Sequence, residues 1–150
     1  MTRQIIHDHP AISQYVAAKV GLPVEQFGLH TCLGLVDDDR ILAGAVYCDY
    51  SGTNVFVHLA GEGRRWLNRE FLYVGFQYPF EQMRVRRLTG WVEESNLDAR
   101  RFDEHIGFRE EARLKGAARD GGDVILYVMW KEDCRWLRRG RTNGTEQKAA

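Results

Sequence analysis

The order of hydrophobic periodicities along this chain predicts one mixed α/β domain. Three segments with helical spacing are interleaved with six strand-like runs in the order α-βββ-α-β-α-ββ. The length agrees, since 150 residues is about one domain's worth of chain. Hydrophobic residues at 44% and charged residues at 28% match an ordinary globular protein, which excludes a disordered, collagenous or disulfide-dense chain. No run approaches the roughly eighteen apolar residues of a membrane span. The opening MTRQIIHDHP lacks the apolar stretch of a signal peptide, so a cytoplasmic protein is expected. No linker, repeat or low-complexity block interrupts the pattern. A single domain is expected over residues 1–141, with 142–150 as a frayed polar tail.

Ile12, Tyr15, Val16 and Val20 recur at helical spacing, with Pro10 at a helix start and Gly21 then Pro23 as a stop. His7-Asp8-His9 reads as part of a mobile N-terminus. A β meander follows: Leu29 to Val36, a turn at Asp37-Asp38-Asp39, and Ile41 to Tyr50. After Ser51-Gly52-Thr53-Asn54, Val55 to Ala60 alternates as a third strand. From Arg64 to Met83 an aromatic-rich pattern predicts a helix that Pro79 kinks. Arg87 to Glu93 is a strand. Ser95 or Asn96 caps a short helix ending near His105, with Ala99 and Phe102 inward and Gly107 just past its end. Arg109 to Ala117 and Val124 to Trp130 form a final antiparallel pair around Asp120-Gly121-Gly122, and residues 131–139 add a basic helical turn. Trp66, Trp91 and Trp130 are expected in the core.

The three cysteines, Cys32, Cys48 and Cys134, are far apart and without paired spacing, so neither a disulfide framework nor a zinc site is expected. Net charge is zero, and the field of the whole protein advertises neither nucleic acid nor membrane. Its distribution is uneven. Residues 1–63 carry three Lys/Arg against seven Asp/Glu, and the remaining eighteen cations follow. Seventeen of the twenty-one cations are arginine, the side chain suited to bidentate phosphate contacts.

The stretch Tyr78-Pro79-Phe80, then Arg87-Leu88-Thr89-Gly90-Trp91-Val92 and Ser95-Asn96, resembles the second half of the GNAT N-acetyltransferases. So do the spacing of Val92, Asn96, Ala99, Phe102, Gly107 and Phe108 and the run Ile106 to Glu111. The resemblance spans residues 66–130 and is most like the branch of Rim-type ribosomal-protein acetyltransferases and related phage-encoded proteins. It implies a mostly antiparallel sheet with flanking helices and a central splayed parallel pair, here Val55–Ala60 and Arg87–Glu93. It also implies acetyl-CoA as cosubstrate, its pantetheine arm along backbone near Leu59 and Ala60. Asn96 would contact the CoA or cap its helix, or both.

The same resemblance implies a pyrophosphate loop before the long helix, where free N–H groups and the helix dipole make an anion site. Two registers fit. In one, the loop is His58-Leu59-Ala60-Gly61-Glu62-Gly63. In the other, counted back from Phe80, Arg64 and Trp66 occupy the glycine places. Arg64, Arg65 and Arg69, with Asn68 beside them, then meet the phosphates by side chain. Alternatively these cations solvate a first helical turn whose dipole they oppose.

Acetyl transfer to an amine needs a base for the ammonium proton, a donor for the oxyanion and an acid for the leaving thiolate. His58 and Glu62 are the base candidates, with Asp49 and Glu93 also considered. His58 carries the convenient unperturbed pKa. The place where the family supplies a tyrosine as acid holds Asp103, which is ionised unless strongly shifted and is then a poor donor; Tyr73, Tyr78 or a water are substitutes. No sign of cysteine activation appears, so direct attack is expected rather than a covalent intermediate. The implied activity is acetyl transfer from acetyl-CoA to a primary amine of a protein or small molecule, with no metal and no membrane partner, in a monomer or homodimer. Arginines beside Trp66, Trp91 and Trp136 keep open a phage-type enzyme modifying nucleic-acid bases, although no extended basic tract supports tight duplex binding. A GNAT-shaped binding protein without turnover is the other alternative.

Overall fold

The structure is a computed structural model that describes residues 3–63 and 68–137. Seven strands form one mixed sheet in the order β1-β2-β3-β4-β5-β7-β6. They are β1 (Arg3–His7), β2 (His30–Asp37), β3 (Arg40–Cys48), β4 (Asn54–Gly61), β5 (Arg87–Glu93), β6 (Arg109–Leu114) and β7 (Val124–Trp130). Three α-helices flank them: α1 (Pro10–Val20), α2 (Arg69–Gln77) and α3 (Leu97–Ile106). Every neighbouring pair is antiparallel except β4 and β5, which run parallel.

The residues expected to delimit α1 do so. Pro10 opens it, His9 caps it by accepting the Ala11 N–H on Nδ1 at 3.1 Å, and Gly21 closes it in the left-handed region at φ 79. Ile12 and Val16 are fully buried because the strands beneath are cut back to glycine. A Cβ on Gly34 would stand 2.2 Å from Ile12 Cδ1, and one on Gly44 would stand 2.7 Å from Val16 Cγ2. The helix therefore lies directly on the β2–β3 backbone.

The chain before α1 departs from expectation. Residues 3–7 are a fifth antiparallel partner rather than a mobile arm, paired with β2 from Arg3↔Asp37 to His7↔Leu33. Asp8, at φ 54, then turns the chain and accepts the Cys32 N–H at 3.0 Å. The meander has the expected order, but Leu29 lies before β2 and is 97% exposed, and β3 ends at Cys48 rather than Tyr50.

The long aromatic helix is shorter than its sequence pattern. It begins at Arg69, capped by Asn68, whose Oδ1 accepts the Phe71 N–H at 2.7 Å. Residues 64–67 lie outside the described residues. Pro79 falls inside a π-helical turn, Tyr78–Gln82, which carries the chain out of α2; a proline lacks the N–H that a continuing α-helix needs. Helix α3 has the expected Asn96 cap and a left-handed Gly107 at φ 119. The β6–β7 connection is a longer loop, 115–123, and the last basic segment is two short 3-10 turns, Lys131–Asp133 and Arg135–Leu137.

Two core layers result. One, under α2 and α3, gathers Val55, Val57, Leu72, Phe76, Leu88, Val92, Ile106, Ile125 and Tyr127. The other, under α1, gathers Ile12, Val16, Phe27, Cys32, Val46 and Cys48. Two tryptophans expected in the core are not there: Trp91 is 43% and Trp130 38% exposed. Strand alternation puts Trp91 opposite the buried Val92, and Trp130 sits at the end of β7 under the Arg87 guanidinium, 5.3 Å from its ring centroid. Trp66 lies outside the described residues. Among the described residues no helix is long and apolar enough to cross a membrane.

Candidate active site

β4 and β5 pair at three positions, Asn54↔Arg87, Val55↔Leu88 and Phe56↔Thr89, and then part. Both strands continue, β4 to Gly61 and β5 to Glu93, each held on its outer edge by β3 or β7. The facing backbone groups beyond Phe56 and Thr89 thus lose their ladder partners, and such groups require another partner or solvent. The vertex is locked by side chains. The Thr89 hydroxyl donates to Asn54 Oδ1 at 2.6 Å, and Arg87 Nε reaches the same oxygen at 3.3 Å.

A cavity of about 460 Å³ fills the gap and reaches both faces of the sheet. Alternation decides what each face presents. Toward α2 and α3, β4 sends Val57 and Leu59, and β5 sends Gly90 and Val92; Asn96, Ala99, Asp103 and Phe108 complete that wall. Toward α1, β4 sends Phe56 and His58, while β5 sends Trp91 and Glu93; Val20, Leu22, Gln26, Asp49, Ala117 and Arg119 surround them.

Burial holds the His58 imidazole below its ordinary pKa, and the nearby Asp49 carboxylate opposes that shift less strongly. Its ring packs against Phe27 at 5.2 Å between centroids. A neutral imidazole on the cavity wall at neutral pH is in the protonation state a base needs. Asp103 is moved the other way. It is 9% exposed, and burial, with the Glu104 carboxylate as the smaller cause, pushes its carboxyl up to about 7. An aspartate at this place is ionised unless its surroundings shift it strongly, and burial in the cavity wall supplies such a shift.

The other expected site residues divide. Leu59 and Asn96 join His58 at the cavity. Asn96 Oδ1 accepts the Ala99 N–H at 3.2 Å, so the cap and the cavity wall coincide in one side chain. Glu62 stands past the end of β4, ion-paired to Lys19 at 3.7 Å and Arg40 at 3.3 Å, and is not among the lining residues. Ala60 packs against the α1 layer. Asn68 caps α2, and Arg69 is exposed in its first turn. Arg64 and Arg65 lie outside the described residues. His58 to Gly61 of the first loop register belong to β4 itself.

Glu93 is held below the usual carboxylate range mainly by hydrogen bonds from Arg119. Of the substitute acids, neither Tyr73 nor Tyr78 lines the cavity, and the Tyr78 hydroxyl donates to Thr31 Oγ1 at 2.8 Å. Cys48 is buried and its thiol is pushed up to about 12, by burial first and then by Asp49, which disfavours the thiolate. Among the described residues no group of three or more His, Cys, Asp or Glu is arranged to hold a metal. Gly90, Trp91 and Arg119 went unread as site residues. Only the pairing of strands brings Gly90 and Trp91 to the gap, and Arg119 arrives on a loop.

No family model matches this sequence and no curated protein matches it. Solved structures do share its fold. The spermidine/spermine N-acetyltransferase SpeG of Vibrio cholerae superposes with a TM-score of 0.69 at 12% identity, over 92% of this chain and 99% of that one. The N-acetyltransferase PseH of Campylobacter jejuni, solved in complex with acetyl coenzyme A, gives 0.60 at 11% identity, over 87% and 99%. The ribosomal-protein-S5-alanine acetyltransferase of Vibrio fischeri gives 0.58 at 16% identity, over 75% and 67%. The architecture is therefore the GNAT fold, and its structural neighbours are N-acetyltransferases. These likenesses do not single out the Rim-type branch.

Proposed function

We propose that this chain is an acetyl-CoA-dependent N-acetyltransferase that moves an acetyl group to a primary amine by direct attack. The observation that carries the reading is the parted β4–β5 pair, with a cavity that joins the two faces of the sheet. An extended donor with amide groups fits the unpaired strand edge, because it can take the hydrogen bonds a third strand would have taken. Val57, Leu59, Val92 and Phe108 give that wall an apolar lining, and the absence of a side chain at Gly90 leaves it room. An amine entering from the α1 side meets His58.

In this reading the backbone of Leu59 and Ala60 holds the pantetheine arm. Asn96 contributes its carboxamide NH₂, which makes no hydrogen bond among the described residues. Asn68 and Arg69, at the start of α2, take the pyrophosphate, a role the family resemblance extends to Arg64 and Arg65. His58 takes the proton that the nitrogen of the neutral amine loses as it becomes the amide. Glu62, the other base candidate, is occupied by Lys19 and Arg40. The high thiol pKa of Cys48 supports direct transfer over an acetyl-enzyme. The acceptor is an amine of a protein or of a small molecule, and the Rim-type resemblance of Asn96 to Phe108 keeps the former in view. Acetyl-CoA supplies the activated acyl group.

Calorimetric titration with acetyl-CoA tests this directly. Micromolar binding is expected, weakened in Asn96→Ala, Arg64→Ala and Arg69→Ala. An amine screen on the binding-competent protein should then show turnover that His58→Ala lowers by about 10²- to 10⁴-fold. Absence of heat at high protein concentration overturns the reading. Binding without turnover on any amine or nucleic acid identifies a GNAT-shaped binding protein instead.

A further inference from the structure

The α3 wall of the cavity contains a carboxyl that no neighbouring cation neutralises among the described residues. Asp103 is 9% exposed and lines the gap. Its Oδ2 lies 3.3 Å from where a Cβ on Gly90 would stand, so a glycine in β5 is what leaves the carboxyl open to the space between the strands. The groups around it offer no counter-charge. On α3 the adjacent Glu104 accepts the Tyr127 hydroxyl of β7 at 2.8 Å, and Arg100 is turned to the Glu94 carbonyl at 3.1 Å. From β4 and β5 the same wall presents Val57, Leu59, Gly90 and Val92. The charged lining groups of the other wall are Asp49 and the Glu93–Arg119 pair, with His58 beside them. A buried carboxyl in such surroundings favours its protonated form, which has an O–H to give.

We propose that Asp103 is the proton donor to the leaving sulfur when an acetyl thioester is cleaved in the gap, an assignment that rests on the acetyltransferase reading of the same cavity. The amine nitrogen forms its bond to the carbonyl carbon on the α1 side, and His58 takes the ammonium proton. The carbon–sulfur bond breaks and its electron pair goes to sulfur, which takes the Asp103 proton and leaves as a thiol. Asp103 is left as a carboxylate and His58 as an imidazolium, and exchange with solvent restores both. Donor and acceptor of protons thus stand on opposite faces of the opening.

The test is a ¹³C NMR titration of the Asp103 carboxyl in the whole protein, free and with acetyl-CoA, set beside kinetics of Asp103→Asn. The carboxyl is expected to titrate near neutrality when free and higher once bound thioester excludes water from it. Asp103→Asn is expected to lower kcat by about 100-fold or more, with the KM for acetyl-CoA within about twofold. It should also remove the fall in kcat that the wild type shows as pH rises past the Asp103 pKa. Titration in the ordinary carboxylate range overturns the proposal, as does an unchanged kcat in the variant. If acetyl-CoA binds and the Asp103 resonance does not move, this assignment falls and the transferase reading stands. If no CoA species binds, both fall.

Discussion

The two edges of β5 differ sharply. Along one, all seven residues pair with β7, from Arg87↔Trp130 to Glu93↔Val124. Along the other, pairing with β4 stops after three. A strand whose ladder ended on both sides would fray. Here the β7 edge holds β5 straight, so the β4 edge stays open without collapse. The closed edge carries the stability, and the open edge has backbone groups without ladder partners, in a cavity that His58 and Asp103 also line.

The largest effect is expected at the closed edge. Ile125 is fully buried and opposes Val92, so Ile125→Ala should cost about 2–5 kcal/mol in urea unfolding. A loss under about 1 kcal/mol would mean that β7 is not what holds β5. Next comes Asp103→Asn, with the opposite sign. The wild-type carboxyl is protonated in both states below about 3.8, and the unfolded chain then ionises while the folded one does not until about 7. Stability is therefore lost as pH rises through that window. Removing the ionisation should stabilise the protein by roughly 3 kcal/mol more at pH 8 than at pH 5, as an upper limit. Thermal melts of both proteins across that range would show parallel curves if the carboxyl is well solvated.

At the vertex, Asn54→Ala leaves the buried Thr89 hydroxyl without its acceptor and should cost about 1–3 kcal/mol. It should also expose the Thr89 amide to faster hydrogen exchange while those of β7 are unchanged. The smallest effect is expected at the open edge: Trp91→Ala removes a side chain that is 43% exposed, and its equilibrium stability should stay within about 0.5 kcal/mol of wild type.

Much of the fold was legible because its signals are local. The Ile12–Val16–Val20 spacing, the Gly21 stop and the Asn96 cap each involve neighbours in sequence. β1 was not legible, because RQIIH places its two isoleucines side by side rather than alternating, and its partners lie 26 to 34 residues further on. The end of α2 was hidden by a π-helical turn that keeps near-helical dihedrals through Pro79. At the site, His58 was proposed from its residue type and Asn96 from the family resemblance, and both line the cavity. The upward shift of the Asp103 carboxyl was not readable. It comes from burial in the cavity wall beside Gly90, which exists only once the strands have paired.

Arg119 gives the opening a second fastening. Its guanidinium donates to the Gly21 carbonyl at the end of α1 at 2.6 Å and to Glu93 at the end of β5 at 3.0 Å. The Asn54–Thr89 lock is a hinge pin at one end, and this side chain is a latch across the other. The pin is a part-buried bond between uncharged groups and responds little to dissolved ions, whereas the latch is an exposed ion pair that they screen. Ionic strength should therefore act on how fast molecules enter and leave rather than on whether the protein folds. Stopped-flow exchange of a bound CoA should quicken with added salt in the wild type and be salt-insensitive in Arg119→Ala.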